Sequence, residues 1–198
     1  MVVQEIKIKI QECLKEDRYF SAMYFCQQLL KIESNDYWQF QYGNVLRLCG
    51  LFAKAKKIFL MIDVKNIPEK YKYLYHLYFG QLLMDMKDVE NAKEELKKCM
   101  EFENCDTVPY VYLSSLLIGE GNNDEAIYYL TKGLEKEGDI DEVYYNLAIR
   151  YAIKEDFGLA LNAIDNCLKL NYNYPNASNV RNDLISYIKL TTQTDSMH

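Results

Sequence analysis

The sequence predicts an all-α fold of stacked helical hairpins, and three observations carry that expectation. Apolar residues recur at helical spacing: Tyr144, Leu147, Ala148 and Tyr151 share one helix face, and past a polar break at Lys154-Glu155-Asp156 a second face holds Ala160, Ala163, Ile164, Cys167 and Leu168. The pattern has a fixed period, since Ala160, Ala126 and Ala92 stand 34 residues apart, as do Leu147, Leu113 and Phe79. The chain also holds only 3 Pro and 8 Gly, too few for the many tight turns of an all-β protein.

The hairpin over Asp141–Tyr174 is the best-preserved copy. Neither of its helices buries enough apolar surface to be stable alone, so each copy must lean on its neighbours. Ala148, Ser114 and Gly80 occupy a small-residue slot, and Ile164, Leu130 and Leu96 a large apolar slot four residues after each alanine. Upstream, Tyr42-Gly43, Ala55 and Phe59 keep the same internal offsets, but this copy starts 37 residues before the next. The extra three residues fall between Ile62 and Tyr71, where Pro68 can open a helix and cannot continue one. A degenerate first copy spans Val3–Asn35: Ala22, Phe25 and Leu29 follow the pattern, whereas Lys9-Ile10 replace the large–small pair, as suits a terminal repeat.

Helices are therefore expected at 3–16, 19–33, 36–49, 52–63, 69–86, 89–102, 108–119, 123–137, 141–154 and 157–170. Thr107 is expected to cap the helix beginning near Pro109, and Asp139 or Asp141 the first helix of the next hairpin. Val180, Leu184, Tyr187 and Ile188 make one apolar stripe of a capping helix over about 175–190, and 191–198 is expected to be a flexible tail. The organisation is a single domain over 1–190, with repeats over about 3–35, 36–69, 73–106, 107–140 and 141–174.

This register resembles the tetratricopeptide repeat (TPR) family. Its unit is a helix-turn-helix with an aromatic, a large–small pair and a tyrosine in the first helix, and alanines in the second. Tyr144, Leu147, Ala148, Tyr151, Ala160 and Ile164 match those positions, and Gly43, Ala55 and Phe59 match them in the second copy. The closing proline is absent, with Gly138 and Tyr172 in its place, and Leu83 and Leu117 replace the tyrosine in two copies. The resemblance implies a right-handed α-solenoid of about five units plus a C-terminal capping helix.

For function, the resemblance implies a non-catalytic protein–protein interaction scaffold that binds a partner peptide or helix in a concave groove. It places Tyr37, Phe40 and Asn44, then Leu77 and Gln81, then Val111 and Ser115, then Glu142, Tyr145 and Ile149 in that groove. Such an apolar, tyrosine-rich lining suits a protein or peptide partner with hydrophobic anchors. It does not suit a C-terminal carboxylate: Asn44 could donate to one, but Phe40, Tyr78, Val108 and Tyr112 stand where cationic or amide donors are needed. Two alternatives remain, an assembly or structural subunit acting through self-association as a homo-oligomer, and a TPR-type chaperone.

The totals narrow the field further. A net charge of −6 and a pI near 5.1 argue against nucleic acid and anionic membranes as partners. No run approaches the roughly 20 apolar residues of a membrane span, and the N-terminus lacks a signal-peptide core, so a cytoplasmic location without membrane insertion is expected. The six cysteines show no C-x-x-C pair or metal-finger spacing, which points to free thiols and to no metal or cofactor. No catalytic residues are proposed. His76 reads as a packing or groove residue, and His198 is the last residue. Asp139-Ile-Asp-Glu142 lacks the glycine turn and distal glutamate of a calcium loop. Asn176-Ala-Ser178 reads as helix-capping polarity rather than a glycosylation acceptor.

Overall fold

The computed structural model describes residues 2–195. Among them it places eleven α-helices and no strand: α1 (Val2–Lys15), α2 (Tyr19–Ile32), α3 (Asp36–Leu48), α4 (Phe52–Met61), α5 (Glu69–Asp85), α6 (Val89–Cys99), α7 (Val108–Gly119), α8 (Asn123–Gly133), α9 (Ile140–Ile153), α10 (Phe157–Leu170) and α11 (Ala177–Asp195). None of the described helices is long and apolar enough to cross a membrane. The first ten form five antiparallel hairpins, and the chain divides into two compact units at Asn104 and Cys105.

Burial explains the 34-residue register. Ala22, Ala55, Ala92, Ala126 and Ala160 all have no exposed surface, because the second helix of each hairpin meets the first at this point. Four residues on, Phe59, Leu96, Leu130 and Ile164 are equally enclosed. The small slot on the first helix is the other half of that contact. A Cβ on Gly43 would stand 2.9 Å from the Phe59 ring, so glycine lets that ring close onto the α3 backbone.

All five hairpins also turn in the same way. Asp17, Gly50, Lys87, Gly121 and Glu155 adopt left-handed backbone with φ of 55°, 74°, 62°, 77° and 64°. The amide after each reaches back five residues, from Arg18 to Cys13 O at 2.8 Å and from Asp156 to Tyr151 O at 2.9 Å, for example. This bond satisfies carbonyls that the ending helix would otherwise leave bare.

In unit 1, α1 to α6 pack as three successive hairpins, with α3 also against α5. The extra residues before Tyr71 form a 3-10 turn at Val64–Asn66, pinned by Asp63 Oδ1 accepting from Lys65 N at 3.0 Å and closed by the buried Ile67. In unit 2, α7 to α10 form two hairpins and α11 lies on α10, where Arg181 Nε meets Asp165 Oδ1 at 2.6 Å and the Phe157 and Tyr187 rings lie 4.7 Å apart.

Several local expectations are corrected. The helices expected over 89–102 and 123–137 end at Cys99 and Gly133, beyond which shorter 3-10-type bonds take over, such as Phe102 N to Cys99 O and Lys136 N to Gly133 O. Thr107 does not cap α7; Asp106 Oδ1 accepts from Val108 N at 3.0 Å instead. Thr107 bonds to the α8–α9 connection, its amide donating to Glu137 O and its Oγ1 accepting from Asp139 N, both at 3.1 Å. Neither Asp139 nor Asp141 caps α9 with its side chain. α11 runs to Asp195, into the expected tail, and the Thr191 and Thr192 hydroxyls bond back to Ile188 O at 3.0 Å. Ser196, Met197 and His198 lie outside the described residues.

Candidate functional site

The candidate residues sit on the first helices of the hairpins. In unit 1 this face is an aromatic ladder between α3 and α5. The Tyr37 and Tyr71 rings lie 4.5 Å apart, and Phe40 meets Tyr37, Tyr75 and Tyr78 at 5.3, 6.1 and 6.2 Å. Burial, followed by the neighbouring Tyr71 and Tyr78 hydroxyls, pushes the Tyr37 hydroxyl above its ordinary range. Phe40 is fully enclosed, and Leu77 and Asn44 are buried, so these three belong to the core rather than to an open lining. Asn44 is further committed: its Oδ1 accepts from Arg47 Nε at 3.1 Å, and Arg47 Nη1 pairs with Asp85 Oδ2 at 3.1 Å. Tyr37 and Gln81 keep partial exposure.

A recess of about 410 Å³ on α1 and α3 had no counterpart among the expected residues. Gln4, Lys7, Ile8, Gln11, Lys15 and Trp38 line it. Gln4, Lys7 and Gln11 have the offsets in the first repeat that Tyr37, Phe40 and Asn44 have in the second, so the register itself could have found them. Lys7 is already held, its Nζ 2.8 Å from Glu33 Oε2 and 5.1 Å above the Trp38 ring.

In unit 2 the face is more accessible. Val111 is buried, but Glu142, Tyr145 and Ile149 are partly exposed and Ser115 is exposed. The Ser115 hydroxyl donates within its own helix, to Val111 O at 3.0 Å. Tyr145 and Tyr174 hold their rings 4.9 Å apart at 34°. Burial and then the Glu142 charge push the Tyr174 hydroxyl up to about 12. Glu142 itself is raised above its ordinary value, first by burial and then by Asp139 and Asp141. Farther along α9, Arg150 has its Nε buried without a hydrogen-bond partner, and that burial lowers its pKa.

His76 is a packing residue between α5 and α6. Its Nδ1 lies 2.8 Å from Glu95 Oε2, its ring stacks on Phe102 at 5.8 Å, and Lys98 Nζ holds the other Glu95 oxygen at 2.7 Å. Burial raises the Glu95 pKa, but the His76 and Lys98 hydrogen bonds outweigh it and leave the carboxyl below its ordinary value. Among the described residues no group of three His, Cys, Asp or Glu side chains is placed to hold a metal ion.

No protein-family model matches the chain, and no curated protein matches it by sequence. Solved structures do match. The C-terminal part of a TPR repeat-containing protein from Cytophaga hutchinsonii superposes with a TM-score of 0.72 at 16% identity, over 88% of this chain and 68% of that one. MamA from Desulfovibrio magneticus gives 0.67 at 16% identity, over 87% and 97%. YrrB, described as a TPR protein with an unusual peptide-binding site, gives 0.63 at 20% identity, over 87% and 88%. The chain has the tetratricopeptide repeat fold. Within this TPR architecture the ten expected residues separate by access. Phe40, Asn44, Leu77 and Val111 are buried, and Tyr37, Gln81, Ser115, Glu142, Tyr145 and Ile149 present surface.

Proposed function

We propose that the protein is a non-catalytic interaction scaffold that holds a segment of a partner protein against the first helices of its TPR hairpins. The observation that supports this most is the surface of α7 and α9, which pack together and on which Ser115 is exposed and Tyr145 and Ile149 are partly exposed, with few charges. Half-buried tyrosines suit this role, offering a large rigid apolar area together with a hydroxyl. YrrB, a chain of the same fold, is described as having a peptide-binding site, which is consistent with the proposal.

The test is affinity capture from the source cell with the immobilised full chain, compared with Tyr145→Ala and Ser115→Arg variants. Both substitutions alter partly exposed or exposed side chains, so the helical circular dichroism should persist while capture is lost. Capture that survives both variants would move the site away from this face. A second reading, self-association, draws on Leu60, Met61 and Tyr172, which are 66%, 77% and 81% exposed. A mass by light scattering that stays monomeric as concentration rises would remove it.

A further inference from the structure

The acidity of this protein is confined to one half. Residues 105–198 carry 14 Asp and Glu against 7 Lys and Arg, whereas residues 1–104 carry 15 against 16. Two of the cations in unit 2 are held in ion pairs, Lys154 with Asp124 and Arg181 with Asp165. α7 contributes no charged residue. On α9, Asp141 is engaged by the Asn171 amide at 2.8 Å. Glu142 is different: among the described residues its partly buried carboxylate has neither a hydrogen bond nor an ion pair. It lies one helical turn before Tyr145 and two before Ile149, on the apolar face.

A carboxylate in that position has lost part of its hydration without gaining a hydrogen bond or an ion pair in exchange. The positive end of α9 offsets some of this. Burial, and then the Asp139 and Asp141 charges, still hold the carboxyl above its ordinary value. A cation arriving from outside would complete it, and the Tyr145 and Tyr174 rings beside it add a surface that attracts cations. The net negative field of unit 2 works in the same direction at longer range.

Resting on the binding role proposed above, we infer that the first-helix face of unit 2 takes a cationic amphipathic segment of a partner protein, which places a lysine or arginine at Glu142 and apolar side chains against Tyr145 and Ile149. The charge on the unit and the unpaired, partly buried carboxylate of Glu142 select this occupant over an acidic or purely apolar segment.

The test is a random twelve-residue peptide library displayed on phage and selected against the immobilised full chain. The expected consensus has one Lys or Arg flanked by apolar residues. A synthetic peptide of that consensus should bind roughly tenfold more weakly to Glu142→Gln, the size of one charge-assisted pair, and equally well to the control Glu135→Gln. Its affinity should fall with added salt. A consensus without a basic residue, or one indifferent to Glu142→Gln, overturns the inference while leaving the apolar binding face in place. A selection that yields no consensus overturns both.

Discussion

Gly138 and Thr107 touch so closely that no side chain fits at Gly138: a Cβ there would stand 2.6 Å from Thr107 Oγ1, and Gly138 has φ of +124°. The α8–α9 connection is thereby fastened to the start of α7, through the Thr107 bonds to Glu137 and Asp139. Gly138→Ala is expected to destabilise the protein by about 2–4 kcal/mol, combining backbone strain with the displaced threonine. Adding Thr107→Ala should recover part of that loss. Urea denaturation of the two single variants and the double variant measures the coupling, and simple additivity would contradict a direct contact.

Stability should fall in acid partly through Glu95. Its folded pKa lies below the ordinary 4.5, so its contribution is fully present above that value and is lost as pH falls through the folded one. Glu95→Gln is expected to cost roughly 1–3 kcal/mol at pH 7, because it loosens the His76 and Lys98 contacts. The variant should then lose less stability than the parent between pH 5 and 3. Urea midpoints across that range decide it.

Glu142 has the opposite sign. Its folded pKa is raised, so the folded state binds the proton more tightly and the group lowers stability as pH rises through that value. Glu142→Gln should therefore raise the thermal midpoint at pH 7 and leave it nearly unchanged at pH 4. A residue that weakens the free protein while strengthening a complex is what a binding position looks like, and calorimetry at the two pH values tests it.

Thiol reactivity should rank by burial. Cys26 and Cys167 are enclosed, with pKa values pushed by burial up to about 12 and about 11, whereas Cys49 keeps partial exposure. Iodoacetamide at pH 8 should modify Cys49 first in the native protein, and all six cysteines in urea. Peptide mass spectrometry after timed quenching reads the order, and early modification of Cys26 would contradict the packing of α2.

The repeat was legible because close helix contact admits few residues, and Ala22, Ala55, Ala92, Ala126 and Ala160 mark it at every crossing. The turns were less legible. Asp17, Lys87 and Glu155 adopt left-handed backbone without being glycine, carried there by the capping bonds and not by their own preference. The site was legible in direction only. Register says which side of a helix a residue occupies; it does not say how near the adjacent helix comes. Tyr71, Tyr75 and Tyr78 on α5 fill the space in front of α3, and Phe40 is enclosed as a result. The recess lined by Gln4, Lys7 and Gln11 was legible in position, since those residues share the offsets of Tyr37, Phe40 and Asn44, but register carries no information on where a surface is hollow.

Trp38 is the chain's one tryptophan, and it is packed among Ile10, Cys13, Ala22, Cys26 and Leu29. Its emission therefore reports on the first two hairpins and is blind to unit 2, whose chromophores are tyrosines. Fluorescence and circular dichroism will trace the same melting curve only if the two halves unfold together. A gap between the curves would measure, without any label, how independent they are.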